Sequence, residues 1–427
     1  MSSNRRLDRK KAVLFKNTFM LYVLQFSTYI LTFIAIPYET RVVGKEIYGK
    51  VGTASAIMVY IQMVIDFGFI LSATEQASRN RSDSGQLSKN FTCATINKLI
   101  LAAISGCVLY VLCLLIPSWK PNTAFFMLYF ISTAINALMP DFIYRGLEQM
   151  TTITIRAVCI RVFFTCMIFV VLQKPSDYYV IPILNIIGNL GAILAIYFHM
   201  FRKLNVRFCN VTKKEVGASL RSSSTFFYSR IASSLYTKSN YIILSLVGVS
   251  SGDTGLYTSA DHLIGAVQNC VSPISDSLYP YMVKNHDYKL VKKALMIMMP
   301  IIVAGVTVVF IFAEPLCVWF FGADFAGTGK ILRAMLPIAI VILPSYVCGF
   351  PMLSSMGLTK FANYSTIFGS VMHLVNLAVL YVTGYMNVVT LGIAVSVTET
   401  LILLFRLSVI WKHRDRLKQP SQPKEDA

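Results

Sequence analysis

Residues 99–118 read LILAAISGCVLYVLCLLIPS, twenty positions without one Asp, Glu, Lys or Arg. As a helix rising 1.5 Å per residue this stretch is about 30 Å long, the thickness of a bilayer's hydrocarbon core. Uncharged runs of the same kind recur at 17–36, 121–140, 178–201, 294–313 and 334–359. The run 361–398 is also uncharged but too long for one crossing, and Thr383-Gly384-Tyr385-Met386-Asn387 inside it reads as a turn between two. Four more runs reach the length by enclosing charge: 51–74 around Asp66, 157–173 around Arg161, 231–252 around Lys238 and 262–283 around Asp276. Twelve crossings are predicted, making the chain an all-α polytopic membrane protein.

Composition agrees with the spans. Of 427 residues, 55% are apolar and only 14% charged, with mean hydropathy +0.61, which excludes a soluble globule of this size. The net charge of +19 would suit nucleic acid, an anionic membrane face or an acidic substrate, so position decides its meaning. With a cytoplasmic N-terminus, 26 Lys and Arg fall in cytoplasmic segments and 6 in the opposite loops, which places both termini in the cytoplasm. The charge is thus mostly topology, and nucleic acid is excluded as a partner. The basic start Arg5, Arg6, Arg9, Lys10 and Lys11 precedes a full-length apolar run without a small-residue cleavage site, so it heads an uncleaved first span rather than a signal peptide. Nine scattered cysteines form no C-x-x-C and read as packing residues; no metal is implied.

The chain divides six and six. The N-terminal lobe is expected at 1–202, a basic cytoplasmic inter-lobe loop at 203–224, the C-terminal lobe at 225–411 and a polar cytoplasmic tail at 412–427. Gly49-Lys50-Val51-Gly52-Thr53-Ala54 opens the second span, and Gly255-Leu256-Tyr257-Thr258-Ser259-Ala260 opens the eighth, 206 positions later. Gly146-Leu147 with Met150 follows the fourth span, and Gly357-Leu358 with Phe361 follows the tenth, 211 positions later. Two matches in the same order, separated by an even number of spans, predict parallel repeats related by an axis along the membrane normal.

The polar residues inside the spans are aligned. At 100° per residue the seventh span places Arg230, Ser233, Ser234, Thr237, Lys238, Tyr241 and Ser245 on one face, and the eighth does so with Asp261, Gly265, Gln268, Asn269, Ser272, Ser275, Asp276 and Tyr279. Thinner stripes follow Gln25, Thr28, Tyr29 and Thr32 in the first span and Ser55, Gln62 and Asp66 in the second. A charge at mid-bilayer costs roughly 2.5 kcal/mol or more, so such faces line a cavity or another helix. Bundle glue needs one or two contacts, whereas three turns of polar surface predict a lumen. In it Arg230 and Lys238 would bind an anionic ligand, and Asp66, Asp261 or Asp276 would exchange a coupling ion. Arg161 and Arg406, near cytoplasmic ends, are expected to snorkel, and His373 reads as a packing residue able to carry a proton. No nucleotide-binding loop, nucleophile elbow or catalytic carboxylate pair is present, so the chain reads as a transporter without a cofactor rather than an enzyme.

Pro37-Tyr38-Glu39-Thr40-Arg41-Val42-Val43-Gly44, continuing to Tyr48-Gly49, resembles the signature after the first span of Wzx-type polysaccharide repeat-unit flippases of the multidrug/oligosaccharidyl-lipid/polysaccharide exporter superfamily. Asp66-Phe67-Gly68-Phe69, Pro140-Asp141-Phe142, Gly146-Leu147-Glu148, Ser229-Arg230-Ile231-Ala232 and Tyr279-Pro280 resemble further positions, over essentially the whole chain. Phe142 stands where that family often has Trp, and His262 where it often has a basic residue. The resemblance implies a two-lobed exporter fold with spans 1, 2, 7 and 8 around a cavity. It also implies an undecaprenyl-diphosphate-linked oligosaccharide as ligand, moved across the bacterial cytoplasmic membrane by alternating access coupled to H⁺ or Na⁺. Membrane lipid is then a partner, and so is the polysaccharide polymerase and chain-length machinery. A drug or metabolite antiporter of the same superfamily is the alternative, expected to have a more acidic cavity; a membrane-embedded polymerase would need a larger external loop than any here.

Overall fold

The computed structural model describes the backbone of residues 2–417 and the side chains of 19, 20, 22–227 and 239–416. Within them the elements are α1 (Ser2–Asp66), α2 (Phe69–Arg79), α3 (Ser84–Leu115), α4 (Thr123–Ala137), α5 (Asp141–Gly146), α6 (Met150–Val171), α7 (Val180–Lys203), α8 (Lys213–Leu246), α9 (Ser251–Asn285), α10 (Tyr288–Ile311), α11 (Ala313–Phe321), α12 (Thr328–Val347), α13 (Leu353–Ser355), α14 (Thr359–Val382) and α15 (Val388–Lys412). No strand occurs among the described residues. Nine stretches among them are long and apolar enough to cross a membrane. One of the nine, Tyr22–Arg79, has the length of two crossings, and α1 within it contains Pro37 and is broken at Gly44 (φ 73°, ψ 171°). The polar helices α8 and α9, of 34 and 35 residues, lie outside the nine. The protein is a multi-pass membrane protein.

Two compact units divide the chain: Met1–Ile47 with Val51–Ile231, and Tyr48–Lys50 with Ala232–Ala427. In the first, one cluster joins Phe69, Ala73, Phe91, Phe142, Tyr144 and Met200 from α2, α3, α5 and α7. The opposite face of α3 leaves Leu99, Ile100, Ile104, Val108 and Val111 uncovered. Apolar side chains at such regular spacing are at home in lipid, where apolar exposure carries no penalty and association rests on close packing and hydrogen bonds.

Three expected boundaries differ from those observed. The run 51–74 is not one span: α1 ends at Asp66, and Phe67 (φ 38°) and Gly68 (φ 80°) turn through the left-handed region before α2 begins. Glycine adopts that conformation freely, and here a Cβ at Gly68 would lie 2.6 Å from the Ser223 carbonyl oxygen. Phe67 is held in its unfavourable φ by stacking on Phe227, ring centroids 4.3 Å apart. The run 334–359 likewise breaks, where α12 passes into a widened turn at Cys348–Met352 containing Gly349 and Pro351.

The third difference is the inter-lobe loop expected at 203–224. Only 204–212 is irregular, since α8 begins at Lys213. The segment lies along α3: Arg207 N–H donates to Ser88 Oγ (3.0 Å), Cys209 N–H to Thr92 Oγ1 (3.2 Å), and Val206 is fully buried. Glu215 accepts from the backbone and side chain of Thr212 (2.7 and 2.9 Å) and from Lys89 Nζ (3.2 Å), which holds its carboxyl below the usual carboxylate range, the Thr212 N–H first among the causes.

In the second unit α12 packs against α9, α10 and α15. The turn expected at 383–387 is present: Gly384 has φ 73°, and Asn387 Oδ1 caps α15 by accepting from Val389 N–H (2.9 Å) and Thr390 N–H (3.0 Å).

Candidate functional site

Arg230, Ser234, Thr237 and Lys238 lie outside the residues whose side chains are described; their backbone is helical within α8. The next turn of that helix is described. Tyr241 O–H donates to Asp261 Oδ2 at 2.6 Å, so the stripes of α8 and α9 meet through a hydroxyl and a carboxylate. Beside them Asn240 Nδ2 donates to Tyr257 Oη (2.9 Å), Asn240 Oδ1 faces His373 Nε2 (2.8 Å), and His373 Nδ1 faces Thr398 Oγ1 (3.0 Å). His373 is fully buried, tying α14 to α8 and α15. Farther along α9, Gln268, Asn269 and Ser272 are half-buried and Asp276 is exposed, in the half of the helix that contains Pro273 and Pro280.

Arg406 does not snorkel. It is 7% exposed: Nη1 donates to the Ser345 carbonyl (2.7 Å) and to Ser345 Oγ (3.0 Å), and Nε to Ser365 Oγ (2.8 Å). The reason is the polar surroundings: the Ser345 carbonyl, which also accepts from Cys348 N–H where α12 passes into the widened turn, and the hydroxyls of Ser345 and Ser365 meet the guanidinium inside the protein, so its donors are satisfied without reaching water. The planar guanidinium, with five N–H groups, supplies several at once.

The first unit holds a cation that the spans did not reveal. Lys98 Nζ lies 3.0 Å from Asp66 Oδ1 and 2.6 Å from the carbonyl oxygen of Ala137, with its charge 5.6 Å above the Phe142 ring. The pair continues outward through Gln62, whose Nε2 is 3.4 Å from Asp66 Oδ2 and whose Oε1 accepts from Asn136 Nδ2 (3.2 Å). Asp66 therefore sits in an ion pair rather than alone. In the sequence Lys98 looks like the boundary of the uncharged run, yet Asp83 caps α3 by accepting from Gly85 and Gln86 N–H, which places Lys98 fourteen residues inside the helix. A cap-first reading of 83–98 would have found it.

In α1, Gln25 Nε2 donates to Tyr29 Oη, whereas Thr28 and Thr32 donate to the carbonyls of Leu24 (2.8 Å) and Thr28 (2.7 Å), so their hydroxyls are satisfied within their own helix. Among the signature residues, Pro37 and the exposed Arg41 lie in α1 and Gly44 breaks it. Gly146 packs on α2 with no room for a side chain, a Cβ there coming within 2.5 Å of Ala77 Cβ. Glu148 (φ 59°) pairs with Arg81 Nη2 at 2.5 Å. Asp141 and Arg156 form a two-pronged ion pair, the Nη2 to Oδ2 arm 2.9 Å long. Gly49, grouped with the second unit, presses on α9: a Cβ there would fall 1.8 Å from the Ser251 carbonyl oxygen and 2.8 Å from Gly255 N. The two glycines whose spacing marked the repeat thus touch. Among the described residues no three His, Cys, Asp or Glu side chains come together to hold a metal.

Comparison with known proteins places these features in a family context. Residues 14–286 match the model of the family described as polysaccharide biosynthesis protein. A Shigella dysenteriae protein provisionally named an O-antigen transporter is 27% identical over 412 residues, covering 92% of this chain and 99% of that one. A protein of Escherichia coli strain K12 with the same provisional name is 27% identical over 281 residues, covering 64% and 66%. Among solved structures, an inward-facing multidrug resistance MATE transporter of the MOP superfamily matches with TM-score 0.64 at 14% identity, covering 94% of this chain and 98% of that one. The lipid II flippase MurJ in an inward closed conformation matches with TM-score 0.64 at 13% identity, covering 93% and 87%. At such identities the likeness is one of fold: the two-lobed, all-α exporter fold.

Proposed function

The chain belongs to the polysaccharide biosynthesis protein family, and from that premise we propose that it moves lipid-linked polysaccharide repeat units across a bacterial cytoplasmic membrane, with both termini in the cytoplasm. The ligand is an undecaprenyl-diphosphate-linked oligosaccharide. Its diphosphate and sugar hydroxyls cannot enter hydrocarbon unpaired, at a cost of several kcal/mol for each unsatisfied polar group. A polar path through the protein removes that barrier while the polyprenyl tail stays in lipid. The single observation that carries this reading is the junction of the α8 and α9 stripes at Tyr241 and Asp261, a hydroxyl–carboxylate contact between two long polar helices in a family of polysaccharide proteins.

In this reading Arg230 and Lys238 attract the diphosphate, and Gln268, Asn269 and Ser272 meet the sugar. Asp261 or Asp276 exchanges a proton or Na⁺ as access alternates. With no nucleotide-binding motif in the sequence, an ion gradient supplies the work, about 2.3 kcal/mol per charge per 100 mV. Replacing Arg230 and Lys238 together with alanine should abolish surface polysaccharide in a host that depends on this chain, while the protein stays in the membrane at its normal level. Unchanged surface polysaccharide would refute their role, and export of a cationic dye by the unmodified chain without polysaccharide transport would favour the antiporter.

A further inference from the structure

A groove of about 630 Å³ runs between α6 and α7 of the first unit. From Ile187 to His199 its α7 wall is about 18 Å long, a little more than half the thickness of a hydrocarbon core. Ile155, Ile187 and Gly191 in its lining are exposed, so the groove is open rather than sealed. Arg156 and His199 stand at one end of it and already have partners, Arg156 in Asp141 and His199 Nδ1 in Tyr144 Oη at 2.9 Å. Just beyond that end stand two cations without a carboxylate. At 100° per residue Gly188, Ala195, His199 and Arg202 fall within about 60° of one another on α7, so the wall of the groove continues directly to Arg202. There a second hollow, of about 490 Å³, is lined by Arg202, Arg207, Phe198, Phe201 and Phe208. Its walls are fixed. Arg207 N–H is held by Ser88 Oγ, the Phe208 ring lies 4.7 Å from that of Phe91 and 6.0 Å from that of Phe201, and the Arg202 guanidinium is 5.4 Å from the Phe198 centroid. No Asp or Glu occurs from 178 to 214, and among the described residues neither guanidinium is in an ion pair. Phe198 and Phe208 are 64% and 54% exposed, an apolar surface rimmed by charge of the kind that marks a contact site.

We propose that the end of α7 and the segment 204–212 seat one anionic phospholipid of the bilayer, its phosphate at Arg202 and Arg207 and one acyl chain in the groove between α6 and α7. Guanidinium groups free of carboxylates match a phosphate in charge and in geometry, and basic hollows beside membrane helices are suited to anionic headgroups. The depth of the groove selects the occupant. It is that of one leaflet, which suits an acyl chain, whereas the polyprenyl tail of the substrate proposed above is much longer. The seat goes beyond the flippase reading and takes from it only the orientation, which makes the leaflet the cytoplasmic one.

Thermal unfolding of the purified full-length protein in detergent, with added phosphatidylglycerol or phosphatidylcholine, tests the seat. The unmodified chain should gain several degrees with phosphatidylglycerol and little with phosphatidylcholine. The Arg202→Gln/Arg207→Gln double variant changes two exposed residues and should fold normally, yet need about thirtyfold more phosphatidylglycerol for half the gain, the contribution of two basic side chains facing an anionic headgroup. Gly191→Leu places a side chain in the groove, where nothing lies within 4 Å of a Cβ, and should abolish the gain without unfolding the protein. Lys292→Gln/Lys293→Gln makes the same change of charge on exposed residues of α10 and should respond as the unmodified chain does. Equal weakening in the lysine and arginine variants would reduce the effect to net charge and overturn the seat, as would an unaltered response in the arginine variant or in Gly191→Leu. Undecaprenyl diphosphate in place of phosphatidylglycerol separates the two sources of phosphate. A gain with it and none with phosphatidylglycerol would assign the hollow to the transported lipid and overturn the proposal of a bilayer phospholipid. Transport is measured in none of these arms, so failure of the flippase reading would leave every outcome as stated.

Discussion

Replacing Gly49 with alanine should destabilise the protein by about 3 kcal/mol, the upper end of what overpacking a tight contact costs. The added methyl would stand 1.8 Å from the Ser251 carbonyl oxygen and 2.8 Å from Gly255 N, both backbone atoms that no rotamer change can move aside. The backbones must separate by more than an ångström, and in a membrane protein the close approach of small residues is itself a main source of association. The loss should appear as a fall in melting temperature in detergent and as reduced protein in the membrane. Gly217→Ala is the control, because nothing lies within 4 Å of a Cβ there; as a helix-interior change it should be neutral or slightly stabilising. Equal behaviour of the two variants would mean that Gly49 does not make the contact described.

Arg406→Met should be nearly as damaging. Methionine keeps the unbranched apolar stem and loses every donor, leaving the Ser345 carbonyl and the hydroxyls of Ser345 and Ser365 without the guanidinium they bond. Each lost hydrogen bond to a charged donor costs about 1.5–3 kcal/mol; the Ser345 carbonyl keeps the Cys348 N–H and the Ser365 hydroxyl keeps its bond to the Ala362 carbonyl, so the loss is that of the guanidinium bonds themselves. Lysine at this position should rescue little, since a point charge cannot serve three acceptors set in a fork. Membrane levels of both variants should drop severalfold, with Arg414→Ala, an exposed change on the same side of the sequence, as reference. A normal level for Arg406→Met would restore the snorkelling role expected from its position.

What the residues disclosed and what they concealed follow from one distinction. Runs without charge report lipid directly, so the all-α multi-pass class and the turn at 383–387 could be read from composition and turn chemistry; that Asn387 caps α15 is added by the structure. Pairing depends on neighbours that are remote in sequence. Lys98 reads as a boundary and proves to be buried against Asp66, thirty-two positions away; Arg406 reads as reaching for water and proves to bond Ser345 and Ser365. The expected loop 203–224 looks charged because Lys203, Arg207, Lys213, Lys214 and Arg221 stand out in its composition. Alternate residues Val206 and Phe208 were the signal that it lies against α3, where Phe208 meets Phe91 with ring centroids 4.7 Å apart. The break at Phe67 and Gly68 was masked because apolar residues continue across it.

Translocation itself is measured most directly in vesicles that contain only lipid, the purified full-length chain and a labelled undecaprenyl-diphosphate-linked oligosaccharide placed in both leaflets, with an ion gradient imposed. A glycosidase added outside reaches only outward-facing sugar. A flippase makes the inward fraction available too, so digestion should run to completion with the unmodified chain and stop at the outward-facing fraction with the Arg230→Ala/Lys238→Ala double variant. Digestion that stops at that same fraction in vesicles with the unmodified chain, as in vesicles with no protein, would contradict the function proposed.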